Sequence, residues 1–353
     1  MKAFQLLRFG DALVQREWEL PALTGTQLLV QVLAAGVCHT DLHVKEGSFD
    51  IGDGHSLHFA SRGLQLPKVL GHEVVAKVVA VGTDAPSTLV GTTALIYPWI
   101  GCGNCPACSA GRENLCATPA FLGTWRDGGY ATHMVVPHWR YLVDIGDVDV
   151  EKAAPMACSG LTMYSAIKKL GSRILESPVL IIGAGGLGLM GVAIIRALGG
   201  AGVVIADIDQ CKLDAAEAAG AMATLNVGVD GWRSRAATIF PTGVASVIDC
   251  VGNTATSAVA FELVGKGGNI VLVGLFGGKS AWPLPLIALK AVTIQGSYVG
   301  NLGELHELMA LVRSGAVKSD FVTQFPLGKV NSVLEELAKG RIVGRAVLTP
   351  DCC

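Results

Sequence analysis

The chain has 353 residues, 51% of them hydrophobic and only 16% charged, with a formal net charge of −2. That length can supply two domains with separate cores, and the apolar content excludes a disordered chain. The near-neutral charge offers no electrostatic basis for binding nucleic acid or an anionic membrane surface. The ten cysteines come with no secretory pattern over residues 1–20, which fits a reducing cytoplasm better than a disulfide framework.

In chain order, the first 150 or so residues read as short β-rich stretches at 27–34, 73–81, 93–97 and 131–136, with Gly and Asp turns between them. Residues 47–67 form a long connection of little periodicity, and such loops are often functional. Cys102, Cys105, Cys108 and Cys116 follow in a C-x2-C-x2-C-x7-C run inside a loop carrying Gly and Pro. Four thiolates this close suit a tetrahedral structural zinc, and a redox or disulfide cluster is the less favoured alternative. Beyond Lys152 the character changes. Helical stretches at 187–198 and 212–219 alternate with apolar strands at 179–182, 203–206, 246–249 and 269–273, the pattern of a parallel sheet wrapped by helices. An apolar strand at 292–299, helices at 303–312 and 330–339 and a strand at 346–349 complete the chain. The run 179–206 carries a single charge, Arg196, and is long enough to cross a bilayer, but eight glycines interrupt it. Its ends read as strands buried on both faces, so no membrane helix is expected. Cys211, Cys250, Cys352 and Cys353 have no ligand pattern and read as buried or terminal thiols.

Gly183-Ala-Gly185-Gly186-Leu187-Gly188 follows an apolar strand and opens a helix, which is the setting of a dinucleotide fingerprint. The glycines allow the tight turn and close backbone approach to a pyrophosphate, and the helix N-terminus supplies free N–H groups. Asp207, 22 positions after Gly185, can accept both hydroxyls of an adenosine ribose and would repel a 2′-phosphate, which favours NAD; the bland alternative is a helix cap. Lys212 reaches the ribose or is an ordinary surface lysine. Cys38, His72 and Cys158 are far apart in sequence, and on residue type alone each could be an ordinary buried side chain.

Taken in order, Gly36-Val-Cys-His-Thr-Asp-Leu-His43, Gly71-His-Glu73, the four-cysteine lobe, Asp127-Gly-Gly-Tyr130, Ala157-Cys-Ser-Gly160 and the glycine fingerprint resemble the zinc-dependent medium-chain alcohol dehydrogenases over essentially the whole chain. The segments 47–67, 97–101 and 296–301 are most similar to tetrameric bacterial and archaeal NAD-dependent members of the Sulfolobus type. The resemblance implies an α/β chain, with a mainly-β GroES-like catalytic domain formed by 1–155 and 297–353, its zinc lobe at 98–118, and a Rossmann domain with a doubly wound parallel sheet at 156–296. It implies two zincs per chain, NAD as cofactor and a homotetramer assembled as a dimer of dimers.

By the same resemblance, Cys38, His72 and Cys158 hold a catalytic zinc, Asp41 orients the His72 ring and Glu73 sits behind the metal. Thr40 bonds the substrate oxygen, and a relay through Thr40, the nicotinamide ribose and His43 carries the proton to the surface. His39 faces the pyrophosphate, Thr162 touches the nicotinamide, Arg345 pairs with the pyrophosphate, and Val273 and Val299 offer backbone groups to the carboxamide. Phe49, Trp99, Trp125 and Leu275 are substrate-pocket candidates; for Phe49 and Trp125 plain packing is an equal expectation. The activity implied is reversible oxidation of primary or secondary alcohols, with a zinc-dependent allylic or cinnamyl-type reductase as the alternative. Such reductases usually favour NADP, against which Asp207 argues. A nucleotide-binding relative without turnover would tend to lose ligands or relay residues, and all of them are present here.

Overall fold

The computed structural model describes residues 1–350, so Cys352 and Cys353 lie outside the described residues. Six parallel strands form one sheet in the spatial order Ala223–Asn226, Val203–Asp207, Val179–Ile182, Val244–Asp249, Val264–Leu272, Thr293–Gly296. Numbered along the chain this is 3-2-1-4-5-6, the doubly wound order whose switch point lies beside the first strand. The apolar run that could have passed for a membrane span is explained by its pleat. Val179 and Ile181 enter one core with Val203 and Ile205, while Leu180 and Ile182 enter a second core with Val204 and Ala206. A strand buried on both faces needs no polar alternation. Among the described residues no helix is long and apolar enough to cross a membrane.

The remaining strands build a seven-stranded, mostly antiparallel sheet and a small three-stranded one. Leu28–Gly36 is central in the larger sheet, pairing with Glu73–Val81, His133–Val136 and Arg345–Thr349. The last of these brings the chain's C-terminal segment back beside residues near its start. Between the two sheets, the helix Ser159–Lys168 packs on both the fingerprint helix Gly186–Ala197 and the helix Leu302–Arg313.

Most expected elements appear within two residues of their expected ends, but two readings need correction. Residues 47–67 are not a featureless connection: Ser48–Asp50 and Ser56–His58 pair as a short antiparallel hairpin. The strand expected over 292–299 stops at Gly296, because Ser297, Tyr298 and Val299 turn into the cleft and Val299 adopts φ +42°. A β-branched residue in that region is a strained position, and it borders the site described next. Cys250 is buried, whereas Cys211 is exposed on its helix.

Candidate active site and metal centres

Cys38 ends the central strand's loop and caps the helix His39–Glu46. Its backbone N–H donates to Asp41 Oδ2 at 3.0 Å, and Gly71 N–H donates to Asp41 Oδ1 at 3.0 Å. Tyr130 Oη donates to the same carboxylate at 2.8 Å, and His72 Nδ1 stands 3.3 Å from Oδ1, though not aligned as a hydrogen bond. Asp41 is wholly buried, so one carboxylate fixes the loops that carry Cys38 and His72. Glycines make this approach possible: a Cβ on Gly71 would meet the Tyr130 ring at 2.5 Å, and one on Gly36 would meet Glu73 Oε2 at 2.0 Å. Glu73, also wholly buried, accepts from Ser159 N–H at 3.3 Å and from the Arg345 guanidinium at 2.5 Å, which ties in Cys158 on the next residue.

These contacts bring Cys38, His72, Glu73 and Cys158 together with their donor atoms within 4.8 Å of one another. The two Sγ atoms are 3.9 Å apart. Tetrahedral thiolates at zinc bond lengths of about 2.3 Å stand about 3.8 Å apart, so the spacing fits. His72 is 1% exposed and neither of its ring nitrogens has a hydrogen-bond partner, so its ring is not a satisfied core histidine and has a nitrogen free for a metal. Asp41 holds the His72 pKa well above its ordinary value against the opposing effect of burial. The hydrogen bond from Cys158 pulls the Cys38 thiol well below its usual range, while the same contact and burial push Cys158 up.

The second cluster is separate. Cys105 Sγ lies 3.5 Å from Cys108 and 3.8 Å from Cys116, and Cys102 Sγ lies 4.0 Å from Cys108. All four sulfurs lie within 4.8 Å of one another, again at the spacing of a sulfur tetrahedron. Glu113 anchors this lobe from its own loop. It accepts from Gly101 N–H at 3.1 Å, Tyr141 Oη at 2.9 Å and Arg140 at 2.6 Å.

A cleft of about 750 Å³ joins the first cluster to the switch point of the parallel sheet. Thr40 and His43 line it from one face of their helix, as residues three apart must. Burial lowers the pKa of His43 and brings that of His39 down to about 4, and both rings pack on Phe276. The fingerprint glycines line the same cleft. A Cβ on Gly188 would strike Gly183 O at 2.0 Å, whereas one on Gly185 would meet nothing within 4 Å, which leaves open space over the helix N-terminus. Asp207 ends its strand there; its Oδ2 accepts from Ala184 N–H at 2.7 Å and its Oδ1 from Ile208 and Asp209 N–H at 2.7 and 3.0 Å, while Asp209 caps the adjacent helix. Lys212 lines the cleft 3.9 Å from Asp209. Thr162 Oγ1 is buried without a partner and faces the same space. Val273 spends its N–H on Asp249 O, so its carbonyl is what it offers. Arg345 lines the cleft, but its guanidinium is engaged by Glu73, leaving Nε as a buried donor without a partner. The open helix terminus, the carboxylate and the orphan hydroxyl together fit a dinucleotide.

Phe49, Trp99, Trp125 and Leu275 all line the cleft. Trp99 is the innermost, 2% exposed, 5.3 Å from the His72 ring and donating to Ala157 O at 2.9 Å. Phe59, Arg62, Phe121, Phe276 and Tyr298 also line it, and sequence reasoning missed them because no motif marks an isolated aromatic or a lone arginine. The Tyr130 bond to Asp41 was missed as well, although the Asp127-Gly-Gly-Tyr130 segment was the signal for it.

Comparison with known proteins agrees with this geometry. Residues 24–147 match the family described as alcohol dehydrogenase GroES-like domain, and residues 186–314 match zinc-binding dehydrogenase. An NAD-dependent alcohol dehydrogenase of Saccharolobus solfataricus is 35% identical over 99% of this chain and all of its own length. A D-arabinose 1-dehydrogenase (NADP(+)) of the same organism is 29% identical over 99% of this chain and 97% of its own. Among solved structures, the alcohol dehydrogenase of Aeropyrum pernix superposes with a TM-score of 0.89 at 33% identity, covering 99% of this chain and 100% of that one.

Proposed function

The chain belongs to the zinc-binding alcohol dehydrogenase family, and from that premise we propose that it oxidises primary or secondary alcohols reversibly with NAD+, holding two zinc ions per chain. The observation that carries the reading is the convergence, in one cleft, of Cys38, His72 and Cys158 with the fingerprint glycines and Asp207.

Cys38, His72 and Cys158 would hold the catalytic zinc, with Glu73 behind it and Asp41 orienting the His72 ring. With three protein ligands rather than four the site is of the open kind, and a zinc held there would supply Lewis acidity toward the alcohol oxygen. Cys102, Cys105, Cys108 and Cys116 would hold a closed, structural zinc. Gly183–Gly188 would cradle NAD, with Asp207 toward the adenosine ribose and Thr162 toward the nicotinamide, and the cofactor would supply the hydride acceptor. The protein's own work is proton movement and alignment. Thr40 Oγ1 accepts the hydrogen bond of the substrate hydroxyl. His43, one helical turn on and neutral because burial lowers its pKa, takes the proton to the surface. Trp99 closes the inner wall and keeps water from the reacting carbon. Asp207 gives the preference for NAD over NADP by repelling a 2′-phosphate.

The test is NADH formation with a panel of primary and secondary alcohols, alongside elemental analysis of the purified protein. About two zincs per chain with NAD-linked oxidation supports the reading. One zinc in a fully active enzyme, or equal efficiency with NADP, overturns the corresponding part.

A further inference from the structure

A row of aromatic rings runs from the metal cluster into the wall of the cleft. Starting at His72, ring centroids run to Trp99 at 5.3 Å, on to Phe121 at 5.3 Å and on to Trp125 at 5.5 Å. At the outer end of this row stands Arg62, its Cζ 5.6 Å from the Trp125 centroid, while Trp125 Nε1 donates to the Arg62 carbonyl at 3.2 Å. The guanidinium lines the cleft and is exposed at its mouth. The other cationic side chains lining the cleft are committed, Arg345 to Glu73 and Lys212 to Asp209. Lys68, the next cation along the same segment, faces Asp127 at 3.7 Å. Among the described residues Arg62 has no ion-pair partner. Tyr298 packs against the row, its ring centroid 6.4 Å from that of Trp99 and 6.3 Å from that of Phe121. Burial pushes its hydroxyl pKa up to about 12, with Arg62 opposing and Cys158 adding.

A metal-ligand cluster at one end, an apolar wall between and a lone guanidinium at the other end describe a site for a two-ended molecule. We propose that Arg62 is a specificity residue that receives a carboxylate at the end of the substrate remote from the reacting hydroxyl, so that ω-hydroxy carboxylates are preferred to plain alcohols of the same length. A single planar fork matches a carboxylate through two parallel hydrogen bonds, and its contact with the indole face fixes its plane beforehand. A phosphate dianion would call for a second cation, and the wall supplies none. The methylene chain lies in the cleft that these rings line, where Trp125 is the most open of the three, and buries apolar surface there at no polar cost. Because the guanidinium is exposed, the preference is modest and falls with salt.

This inference rests on the alcohol dehydrogenase reading, and the experiment separates the two. The substrates are 6-hydroxyhexanoate and 10-hydroxydecanoate, each paired with the 1-alkanol of its length, so that misfit of one chain length is not taken for failure. Wild type should show a kcat/KM ratio, hydroxy acid over alkanol, of about three to ten for at least one pair, declining toward one between about 0.05 and 0.5 M salt. Arg62→Met should bring the ratio to one or below, and Arg62→Lys should restore part of it with weaker dependence on the acid's geometry. A second readout needs no turnover: quenching of tryptophan fluorescence by the same hydroxy acid in the absence of NAD+ should require severalfold more ligand in Arg62→Met. Turnover of the alkanols with no preference for the acids, or a preference that Arg62→Met leaves intact, overturns the role of Arg62 alone. Absence of turnover with all four compounds, when the wider panel of primary and secondary alcohols is oxidised, also overturns the role of Arg62 alone; absence of turnover with that whole panel overturns the alcohol dehydrogenase reading.

Discussion

Glu73 and Arg345, 272 positions apart, meet in the buried wall between the metal cluster and the dinucleotide cleft, with both carboxylate oxygens 2.5 Å from one guanidinium nitrogen. Their strands lie on either side of Leu28–Gly36, so the pair bridges that strand at the site. Glu73 also holds Ser159 N–H, and Arg345 packs under Gly186, where a Cβ would meet its Cδ at 2.3 Å. One ion pair therefore registers the Cys158 segment against the fingerprint turn. Glu73→Gln leaves a buried guanidinium without its counter-ion and should cost about 3–5 kcal/mol of stability. Thermal melting of the NAD-free protein measures this. A shift within error of zero would show that the pair is dispensable to the fold.

The two metal clusters should fail differently. Cys38→Ala or Cys158→Ala should remove one zinc and nearly all activity while leaving a folded protein that still binds NAD. Cys105→Ala should lower the melting temperature by more than about 5 °C, since a closed sulfur site contributes folding energy directly. Zinc analysis and calorimetry of the same preparations distinguish the two. Equal stability losses from both sets would contradict the assignment of the roles.

Asp207→Gly removes a ribose acceptor and a charge that opposes a 2′-phosphate. The KM for NAD should rise by about tenfold, and the NAD/NADP ratio of kcat/KM should shrink by more than that. Side-by-side kinetics with the two cofactors give the answer. An unchanged ratio would place the discrimination elsewhere.

For His43 the sign follows from burial, which lowers its pKa from the ordinary 6.5. The ring stays neutral and able to accept a proton throughout neutral pH, and it loses that capacity only as the pH falls below 6.5. The acid limb of the kcat profile should therefore lie below that value. His43→Ala should slow alcohol oxidation by about tenfold or more below about pH 8, where hydroxide is too scarce to substitute, and imidazole buffer should restore part of the rate. A superimposable pH–rate profile in the variant rules out the relay.

The strand Thr293–Gly296 ends the parallel sheet and pairs on one side only. Beside it the helix Leu284–Lys290 has no buried residue and leaves Leu284 and Leu289 exposed at 77% and 70%. An open edge next to an apolar helix is an aggregation hazard unless a two-fold mate covers it. Light scattering at micromolar concentration should find a dimer or the homotetramer, and Leu289→Arg should weaken the assembly. A stable wild-type monomer excludes it.

Much of this protein was fixed by local chemistry. The spacing of Cys102, Cys105, Cys108 and Cys116 implied one metal lobe, because four ligands within fifteen residues can close on an ion with little help from the rest of the fold. The fingerprint glycines and Asp207 were legible because a strand, a turn and a helix in succession make the phosphate cradle locally. The doubly apolar strands were legible from continuous hydrophobicity once the glycines excluded a long helix. Family resemblance, not spacing, brought Cys38, His72 and Cys158 together, since their contact depends on a sheet that pairs residues far apart in sequence. Only the tertiary structure decided what each carboxylate does: Asp41 binds two loops and a tyrosine, and Glu73 engages Arg345, which the resemblance had assigned to pyrophosphate. It also cut the edge strand short at Gly296, turning Val299 into the cleft at φ +42°. Such facts escape sequence reasoning for one physical reason. A hydrogen bond, an ion pair or a stacked ring is made by whichever side chains the packed core brings within reach, and the period of a helix or strand carries no record of its partner.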